Sequence, residues 1–402
     1  MWSCTPGHVF QYHPRRPDKE GSIVTTGQEY RHYVRSALGR RRFNLLIFFV
    51  TSRCNAKCDF CFYWDHLNQQ GDLTMEEIRK ISATMPQFHR LLFSGGETFM
   101  RKELVDIVSL FHRQNGVATI NLPTNGILQT QIVAKTEVIL AENPQLTVNV
   151  GFSLDGFAAT HDRVRAVPGC FRKAIASIKA VTALRGRFPN LTVFVNSVIL
   201  HENYAELPAL ADYLLHEVDL DTHYFNIIRG DPMNPAQRDV PHEALAKLYQ
   251  EYERVLAIYV ERSHQRRGRG PVSAAVWRTF YLGRLAIYND IQRTNYTHGA
   301  RWPMPCTAGD TAAVIDYHGD VRICELRQPI GNLRDYDCDF GRLWSSPART
   351  AEVAQMHQDH CDCTHICFID DSATYSPKVA LLQSPLAYAR RSPLPSVSSS
   401  SE

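Results

Sequence analysis

The sequence predicts an α/β fold built on a parallel β-sheet. Six short runs rich in apolar and β-branched residues recur along the chain, and segments with helical periodicity separate them. The predicted strands cover residues 44–50, 90–94, 117–122, 147–154, 191–200 and 222–228. Strands that alternate with helices pair in parallel through right-handed crossovers. Periodicity leaves two architectures open, an open doubly wound sheet and a partial barrel.

The helices between these strands are marked by apolar residues three and four positions apart, as at Leu104, Ile107, Val108 and Phe111. Similar stripes cover residues 171–178 and 207–214. The clearest helix start is at residue 74, where a threonine precedes a glutamate at position 77 in the pattern of a capping box. After residue 230 the alternation ends. A stripe over residues 245–259 predicts one long helix, and the arginine- and glycine-rich stretch 262–270 predicts a surface loop.

Length and charge limit the class of protein. A chain of 402 residues is expected to form two or three domains at ~150 residues each. Its 44 Lys and Arg and 41 Asp and Glu give a formal net charge of +3, which does not favour a nucleic-acid partner. The sequence shows neither a secretory signal nor an apolar run near the ~20 residues of a membrane helix, so a cytoplasmic protein without a membrane partner is expected.

These patterns divide the chain into five segments. They are an N-terminal extension (1–43), an α/β core (44–235), a helical bridge and linker (236–300), a small cysteine-rich domain (301–370) and a Ser- and Pro-rich tail (371–402). The tail is expected to be partly disordered. The chain has 11 cysteines, which a reducing cytosol favours as metal ligands or reactive thiols rather than as disulfides.

Three of these cysteines follow the first predicted strand. Cys54, Cys58 and Cys61 have C-x-x-x-C-x-x-C spacing on a loop at the carboxyl end of that strand, where α/β folds build sites. Three thiolates can hold three irons of a [4Fe-4S] cluster and leave the fourth iron open to a small molecule. A structural zinc site is the alternative, but it needs a fourth ligand, and His66 is the only near candidate. Buried cysteines without a ligand are a third interpretation.

The cysteine spacing, with Phe60 just before the last cysteine, resembles the signature of the radical S-adenosylmethionine (SAM) superfamily. Gly95, Gly96 and Glu97 at the end of the second strand resemble a further motif of that family. In the family this edge binds the amino group of the methionine part of SAM. The resemblance therefore implies cofactor binding at these four residues. It also implies a partial (β/α)6 TIM-like barrel over roughly residues 44–235.

Two later loops resemble family motifs in the same order, at residues 124–126 and 153–156. Ser153 resembles the position that contacts the ribose of SAM, and Asn196 near the end of the fifth strand is expected to face the cofactor. Asn-Gly and Asp-Gly are also ordinary turn dipeptides, so a structural role for these loops stays open. For Arg165 the sequence predicts no definite role, and for Cys170 it favours packing.

A second group of cysteines lies in the segment 301–370. Cys306, Gly319 and Cys324 have the spacing that opens a SPASM-type auxiliary cluster domain, and residues 316–320 between them predict a hairpin turn. Cys361, Cys363 and Cys367 depart from the full SPASM pattern. With Cys338 there are six cysteines here, too few for two clusters. The expected ligands of one auxiliary [4Fe-4S] cluster are Cys306, Cys324, Cys367 and one of Cys361 or Cys363.

Zinc bound by the same four thiolates stays open as an alternative at this second site. His357, His360 and His365 are predicted to be solvated loop residues rather than ligands. Of the aromatic residues, Tyr63, Trp64, Trp277 and Trp302 could line a pocket, although packing is the simpler interpretation.

The resemblance implies an enzyme that takes an electron from a donor such as flavodoxin or ferredoxin. It would cleave SAM reductively to a 5′-deoxyadenosyl radical, which removes a hydrogen from the substrate. The implied substrates are a peptide or protein, or a small natural-product metabolite, and oxidation or crosslinking is the favoured outcome. The competing hypothesis is a noncatalytic metal-binding module, with zinc or an iron–sulfur cluster, that contacts nucleic acid through the arginines of 40–42 and 262–269.

Overall fold

The structure, a computed structural model, describes residues 38–39, 41–266 and 270–390, without the side chains of residues 297 and 298. Most of the predicted extension 1–43 and the last residues of the predicted tail lie outside this part of the chain. Within it, no helix is long and apolar enough to cross a membrane.

A sheet of nine strands organises the described chain. The strands are β1 Leu45–Phe49, β2 Arg90–Ser94, β3 Thr119–Thr124, β4 Thr147–Ser153, β5 Leu191–Ile199, β6 Thr222–Ile227, β7 Ala312–Ile315, β8 Asp320–Arg322 and β9 Gly331–Asn332. Their order across the sheet is β6-β5-β4-β3-β2-β1-β7-β8-β9. Strands β1 to β6 all pair in parallel, which confirms the six predicted strands.

Helices connect these parallel strands. They are α1 Met75–Thr84, α2 Leu104–Asn115, α3 Gln129–Glu142, α4 Ala158–Val164, α5 Cys170–Ala183 and α6 Leu207–Glu217. Six parallel strands with intervening helices form the partial (β/α)6 barrel, which resolves the choice that periodicity left open. At the start of α1 the predicted capping box is present, with the Glu77 amide donating to Thr74 Oγ1 at 3.2 Å and the Thr74 amide donating to Glu77 Oε2 at 2.7 Å.

The remaining helices follow the barrel. They are α7 His242–Arg266, α8 Pro271–His298, α9 Phe340–Trp344, α10 Pro347–Gln358, α11 Ile366–Thr374 and α12 Ser384–Ala389, with a π-helical turn at Lys378–Gln383. The prediction of a surface loop at 262–270 is wrong for its first residues, because helix α7 continues to Arg266. Acceptors on the neighbouring surface hold these arginines on the helix. Arg262 donates to the Leu215 carbonyl at 2.6 Å, and Arg266 pairs with Asp221 at 3.2 Å.

The burial of the strands shows which face of the sheet holds a site. All five residues of β1 are buried, as expected for a parallel strand covered on both faces. In contrast, β5 alternates strictly between buried and half-buried residues. Leu191, Val193 and Val195 are buried in the core, whereas Thr192 and Asn196 line an internal cavity. The barrel therefore has one packed face and one open face.

The cysteine-rich segment continues the barrel sheet. The predicted hairpin is present, with Gly319 at the left-handed φ of +101° between β7 and β8. Strand β7 also pairs in parallel with β1, from Leu45 opposite Ala312 to Phe48 opposite Ile315. This pairing joins residues more than 260 positions apart, which is why no local pattern predicted it.

The predicted boundary at residue 371 falls inside α11. Asp371 is fully buried, and the following Val379 and Ala380 are fully buried as well. The part of the predicted tail that the structure describes, residues 371–390, is mostly helical. The serine-rich end dominates the composition of the segment and hides the apolar residues that precede it.

Candidate functional site

The loop that carries Cys54, Cys58 and Cys61 is held against the barrel by polar side chains. Asp72 accepts hydrogen bonds from the Thr51 hydroxyl at 2.5 Å and the Ser52 amide at 3.0 Å. Beyond them, the amide of Cys54 donates to Asn68 Oδ1 at 3.0 Å, and the amide of Cys61 donates to the Cys58 carbonyl at 3.1 Å. The loop therefore has a fixed path at the carboxyl end of β1.

The three thiols of this loop lie close enough to interact electrostatically with one another. Burial raises the pKa of Cys54 to about 11 and that of Cys58 to about 12. Two donors nevertheless point at sulfur, since the Tyr63 amide lies 3.4 Å from Cys61 Sγ and Arg165 Nη1 lies 3.7 Å from Cys58 Sγ. Binding of iron would release the thiol protons, and these donors would then face thiolates. The three thiols and the hydrogen-bond donors beside them therefore fit a bound [4Fe-4S] cluster.

Arg165 is the charged residue at the centre of this site. It is only 6% exposed and binds the fully buried Asp155 through Nε at 2.8 Å and Nη2 at 2.6 Å. Its guanidinium carbon lies 5.4 Å from the centre of the Phe60 ring, which is 8% exposed. Phe60, predicted to bind cofactor, thus packs against the arginine that reaches Cys58. The sequence predicts no definite role for Arg165, because only the fold brings this residue to the cysteines.

The Gly-Gly-Glu turn docks onto the cysteine loop. The amide of Gly96 donates to the Thr51 carbonyl at 2.8 Å, and the amide of Glu97 donates to the Arg53 carbonyl at 2.7 Å. A Cβ atom on Gly95 would lie 2.4 Å from the Thr51 oxygen, and one on Gly96 would lie 2.1 Å from the Arg53 oxygen. Both glycines are therefore needed for the contact between the two loops.

The side chain of Glu97 is turned inward. It is 2% exposed, and its carboxylate accepts hydrogen bonds from the Asn125 amide at 2.8 Å and the Phe99 amide at 3.2 Å. Asn125 in turn donates from Nδ2 to Asn55 Oδ1 of the cysteine loop at 2.7 Å. Glu97 thus connects the loops after β2 and β3, and Asn125 connects the loop after β3 to the cysteines.

A cavity of about 770 Å³ opens on the inner face of the barrel. Ser153 and Asn196, both predicted to face SAM, line it and lie opposite each other in the pairing of β4 with β5. Along β5 the lining runs from Thr192 to Asn196, a depth of about 13 Å at ~3.3 Å per residue. Helix α8 closes the open side, where Trp277 stacks on Tyr281 at 5.3 Å.

Several other predicted residues lie outside the lining of this cavity or in packing positions. Gly95, Gly96, Glu97 and Phe60 are absent from the described lining, as are Tyr63, Trp64 and Trp302. Cys170 is fully buried, which confirms its predicted packing role. Tyr63 is 6% exposed, and its hydroxyl donates to Asp316 in the hairpin turn, which ties the first cysteine loop to the second cysteine segment.

The structure also gathers the second group of cysteines. Cys306, Cys324, Cys361 and Cys363 interact electrostatically with one another, and burial raises the pKa of each of Cys306 and Cys324. Cys367 lies at the cavity wall, where it interacts with the side chain of His365. The electrostatic neighbours of Cys338 are instead four charged residues, Glu77, Lys80, Arg334 and Asp337.

The prediction that His365 is a solvated loop residue is wrong. His357 and His360 are exposed as predicted, but His365 is buried, with only 1% exposure. Its Nε2 contacts the carboxylate of Glu325, which also contacts Arg229 Nε at 2.9 Å. Burial raises the pKa of Glu325, yet the charges of Arg229 and His365 bring it down to about 2. The contact between His365 and Glu325 could not be predicted from the sequence, because the two residues are 40 positions apart.

Within the part of the chain that the structure describes, no group of three or more His, Cys, Asp or Glu side chains is arranged to hold a single metal ion. In a [4Fe-4S] cluster each thiolate binds a different iron, so its thiolates need not converge on one point.

The parallel barrel, the cysteine loop after β1 and the Gly-Gly-Glu turn after β2 together resemble the core of a radical SAM protein. Residues 48–214 match the radical SAM superfamily. Enzymes of this superfamily use a [4Fe-4S] cluster and SAM. This match favours the radical SAM interpretation over the noncatalytic module considered from the sequence.

The chain is similar in sequence to two curated proteins and in fold to a solved structure. Fe-coproporphyrin III synthase of Methanosarcina barkeri is 29% identical over 178 residues, 43% of this chain and 41% of that protein. PqqA peptide cyclase of Bradyrhizobium diazoefficiens is 24% identical over 339 residues, 83% of this chain and 84% of that protein. The solved structure of anSMEcpe with bound AdoMet and Cp18Cys peptide has a TM-score of 0.50 at 17% identity and covers 86% of this chain and 94% of its own. The first of these matches spans less than half of the relative.

Proposed function

We propose that this protein cleaves SAM reductively and removes a hydrogen atom from a substrate bound in the barrel cavity. The observation that carries the proposal is the cluster of three thiols at Cys54, Cys58 and Cys61, fixed at the carboxyl end of β1. Ser153 and Asn196 lie opposite each other on the parallel strands β4 and β5, toward the same carboxyl edge of the sheet. A cofactor held by the cysteine loop would therefore lie at the mouth of the cavity.

The residues of the loop divide the work of holding the cofactor. Cys54, Cys58 and Cys61 would bind three irons of the cluster, and Arg165 would stabilise the thiolate of Cys58 from its fixed position on Asp155. The turn at Gly95 and Gly96 would present backbone groups to SAM, while Ser153 and Asn196 would bind its polar groups. When bound, the cluster and SAM supply a radical able to remove hydrogen from an unactivated C–H bond.

An auxiliary [4Fe-4S] cluster is proposed at the second cysteine group, held by four of its five members. These are Cys306, Cys324, Cys361, Cys363 and Cys367. Cys367 lies at the cavity wall, so a cluster there would adjoin the bound substrate and could receive the electron left on it. Net oxidation or crosslinking is the outcome this arrangement favours. A flavodoxin or ferredoxin is the proposed external electron donor.

Two classes of substrate are supported. PqqA peptide cyclase and the peptide bound to anSMEcpe favour a peptide or protein substrate. Fe-coproporphyrin III synthase favours a small metabolite. The cavity of about 770 Å³ is large enough for one drug-sized molecule or for one side chain with its neighbouring peptide groups.

Cleavage of SAM is tested in the absence of oxygen. The chain is purified without oxygen, reconstituted with iron and sulfide, reduced, and incubated with SAM, and 5′-deoxyadenosine is measured by mass spectrometry. The expected result is cleavage that depends on the reductant, together with an electron paramagnetic resonance (EPR) signal that changes when SAM is added. A reconstituted protein that holds iron but leaves SAM intact under reduction would contradict the proposal.

A further inference from the structure

Arg229 occupies a junction between the two cysteine groups. It follows β6 at its carboxyl end and lines the cavity, with 30% of its side chain exposed. The guanidinium carbon lies 4.6 Å from the centre of the Phe62 ring, and Phe62 is the residue after Cys61. On its other side Arg229 contacts Glu325, the residue after Cys324. A substrate beside Arg229 would thus lie between the two sites.

The orientation of Arg229 is fixed by buried groups. Glu325 is held in a pocket where its side chain is 2% exposed and contacts both Arg229 Nε at 2.9 Å and the buried His365. Gly230 keeps the backbone close, because a Cβ there would lie 2.7 Å from Cβ of Phe62. An arginine oriented through Nε by a carboxylate keeps its two terminal nitrogens available.

Those terminal nitrogens have no hydrogen-bond or ion-pair partner among residues 38–39, 41–266 and 270–390. The cavity wall beside them is neutral, with Ser153, Asn196 and Asn226 at the same end of the sheet and Asn226 donating to Asn196. Asp370 is the only acidic side chain of the described lining, and it pairs with Arg90 at 2.5 Å. The arginine fork therefore faces a site that offers amide and hydroxyl groups.

We propose that Arg229 binds an anionic oxygen group of the substrate, a carboxylate or a phosphate, and so selects substrates that carry one. The proposal rests on the function proposed above and names the chemical class of its substrate. A guanidinium fork matches the two oxygens of either group, and such charge-assisted pairs are about twice as strong as neutral hydrogen bonds. The neighbouring asparagines would bind hydroxyl, amine or amide groups on the same molecule.

The test uses acetate as the probe and acetamide as its uncharged match. Binding of each probe to the anaerobically reconstituted holoenzyme is measured by saturation-transfer difference NMR, which detects the methyl signal of the probe. SAM is present at saturation, and chloride keeps the ionic strength constant. Acetate is expected to bind, and Arg229→Gln is expected to weaken it about tenfold, because a charge-assisted pair is lost. Acetamide is expected to give the same weak signal in both proteins. Displacement of acetate by inorganic phosphate would show that the site takes either anion, and its absence would assign the site to carboxylates.

Controls separate this proposal from others. Arg187→Gln removes a surface arginine that pairs with Glu137 at 2.5 Å and should leave acetate binding unchanged. If Arg229→Gln does not fold, Arg229→Lys keeps the charge without the fork and should still weaken binding. Equal acetate binding in wild type and either Arg229 variant would overturn the proposal, and so would binding that SAM abolishes, since the anion site would then belong to the cofactor. The wild type's cleavage of SAM is scored separately, so failure of that activity is distinguished from failure of this site.

Discussion

At the scale of single residues, the charges behind the cysteine loop form one buried unit. Asp155 is fully buried and accepts from Arg165 and from the Val198 amide at 2.8 Å. Removing one partner of such a pair leaves an uncompensated buried charge, which costs several kcal/mol. Arg165 is therefore held in place before any cofactor binds. It approaches Cys58 with Nη1, while Nε and Nη2 are committed to Asp155.

The same unit makes stability depend on pH through His161. Burial and the nearby Arg165 lower the pKa of His161 to about 2, and its Nδ1 accepts the Asp155 amide at 3.0 Å. The unfolded chain takes up this proton below pH ~6.5, whereas the native protein does not until about pH 2. The stability linked to neutral His161 is thus complete above pH ~6.5 and decreases as the pH falls, by ~1.4 kcal/mol per pH unit.

His161→Asn should remove this dependence, because asparagine retains an acceptor for the Asp155 amide but does not titrate. Relative to wild type, the variant should gain about 2 kcal/mol of unfolding free energy between pH 7.5 and pH 5.0. Urea denaturation of the protein without its clusters measures the difference. His357→Asn, on the exposed end of α10, is the control and should follow the wild type. Parallel pH profiles for wild type and His161→Asn would contradict the assignment.

At the scale of elements, periodicity predicted the barrel strands because each combines apolar residues with a clear boundary. The match at β2 extends to both ends, from residue 90 to residue 94. The helices α8 and α12 were missed for different reasons. In α8 polar and aromatic residues that line the cavity interrupt the apolar stripe, and α12 lies in a segment whose serines and prolines indicate disorder.

At the scale of elements, the cysteine loop and the turn after β2 are in close contact, and a single substitution tests this contact. Gly96→Ala would place a methyl group 2.1 Å from the Arg53 carbonyl oxygen, so the two loops must separate. Such overpacking costs about 1–3 kcal/mol, and the displaced backbone carries Cys54 with it. We expect iron content after reconstitution and SAM cleavage both to fall severalfold.

Gly186→Ala is the matched control, since a Cβ at that position meets no atom within 4 Å. It should leave iron content, measured colorimetrically per chain, at the wild-type level. If Gly96→Ala binds the full complement of iron with the spectrum of the wild type, the two loops are not as closely coupled as the structure indicates.

At the scale of the whole molecule, Asp371 fastens the C-terminal helices to the barrel. Its carboxylate accepts from Asn44 Nδ2 at 2.8 Å, from the Thr307 hydroxyl at 2.8 Å and from the Thr311 hydroxyl. Asp371→Ala would leave these buried donors without an acceptor and should lower the unfolding free energy by about 3 kcal/mol. Asp371→Asn keeps one acceptor oxygen and should lose less.

Urea denaturation followed by circular dichroism measures this loss in the protein without clusters. Asp335→Ala, an exposed acid in the turn after β9, serves as the control and should change stability by less than about 0.5 kcal/mol. Equal stability of Asp371→Ala and the control would show that the C-terminal helices are held by other contacts.

The site could be predicted from the sequence as far as its chemistry is local. The spacing of Cys54, Cys58 and Cys61 within one loop indicates a cluster without any knowledge of the fold. Arg165 and Arg229 could not be assigned, because they reach the cysteines across more than 100 residues of chain. The prediction that His365 is solvated was wrong for the same reason, since its burial depends on the carboxylate of Glu325, which is distant in the sequence.

The proposed function assigns different contributions to the two groups of cysteines. Cys54→Ala, Cys58→Ala or Cys61→Ala should each reduce 5′-deoxyadenosine to background, because a cluster held by two thiolates loses the geometry that SAM requires. Cys306→Ala or Cys324→Ala should retain some cleavage uncoupled from product, since β7 pairs with β1 through backbone hydrogen bonds that do not depend on these thiols. Mass spectrometry of 5′-deoxyadenosine, with iron content and EPR spectra of each variant, measures both effects. Equal residual cleavage in all five variants would mean that both cysteine groups support one common step, and the division between a SAM-cleaving site and an auxiliary site would have to be abandoned.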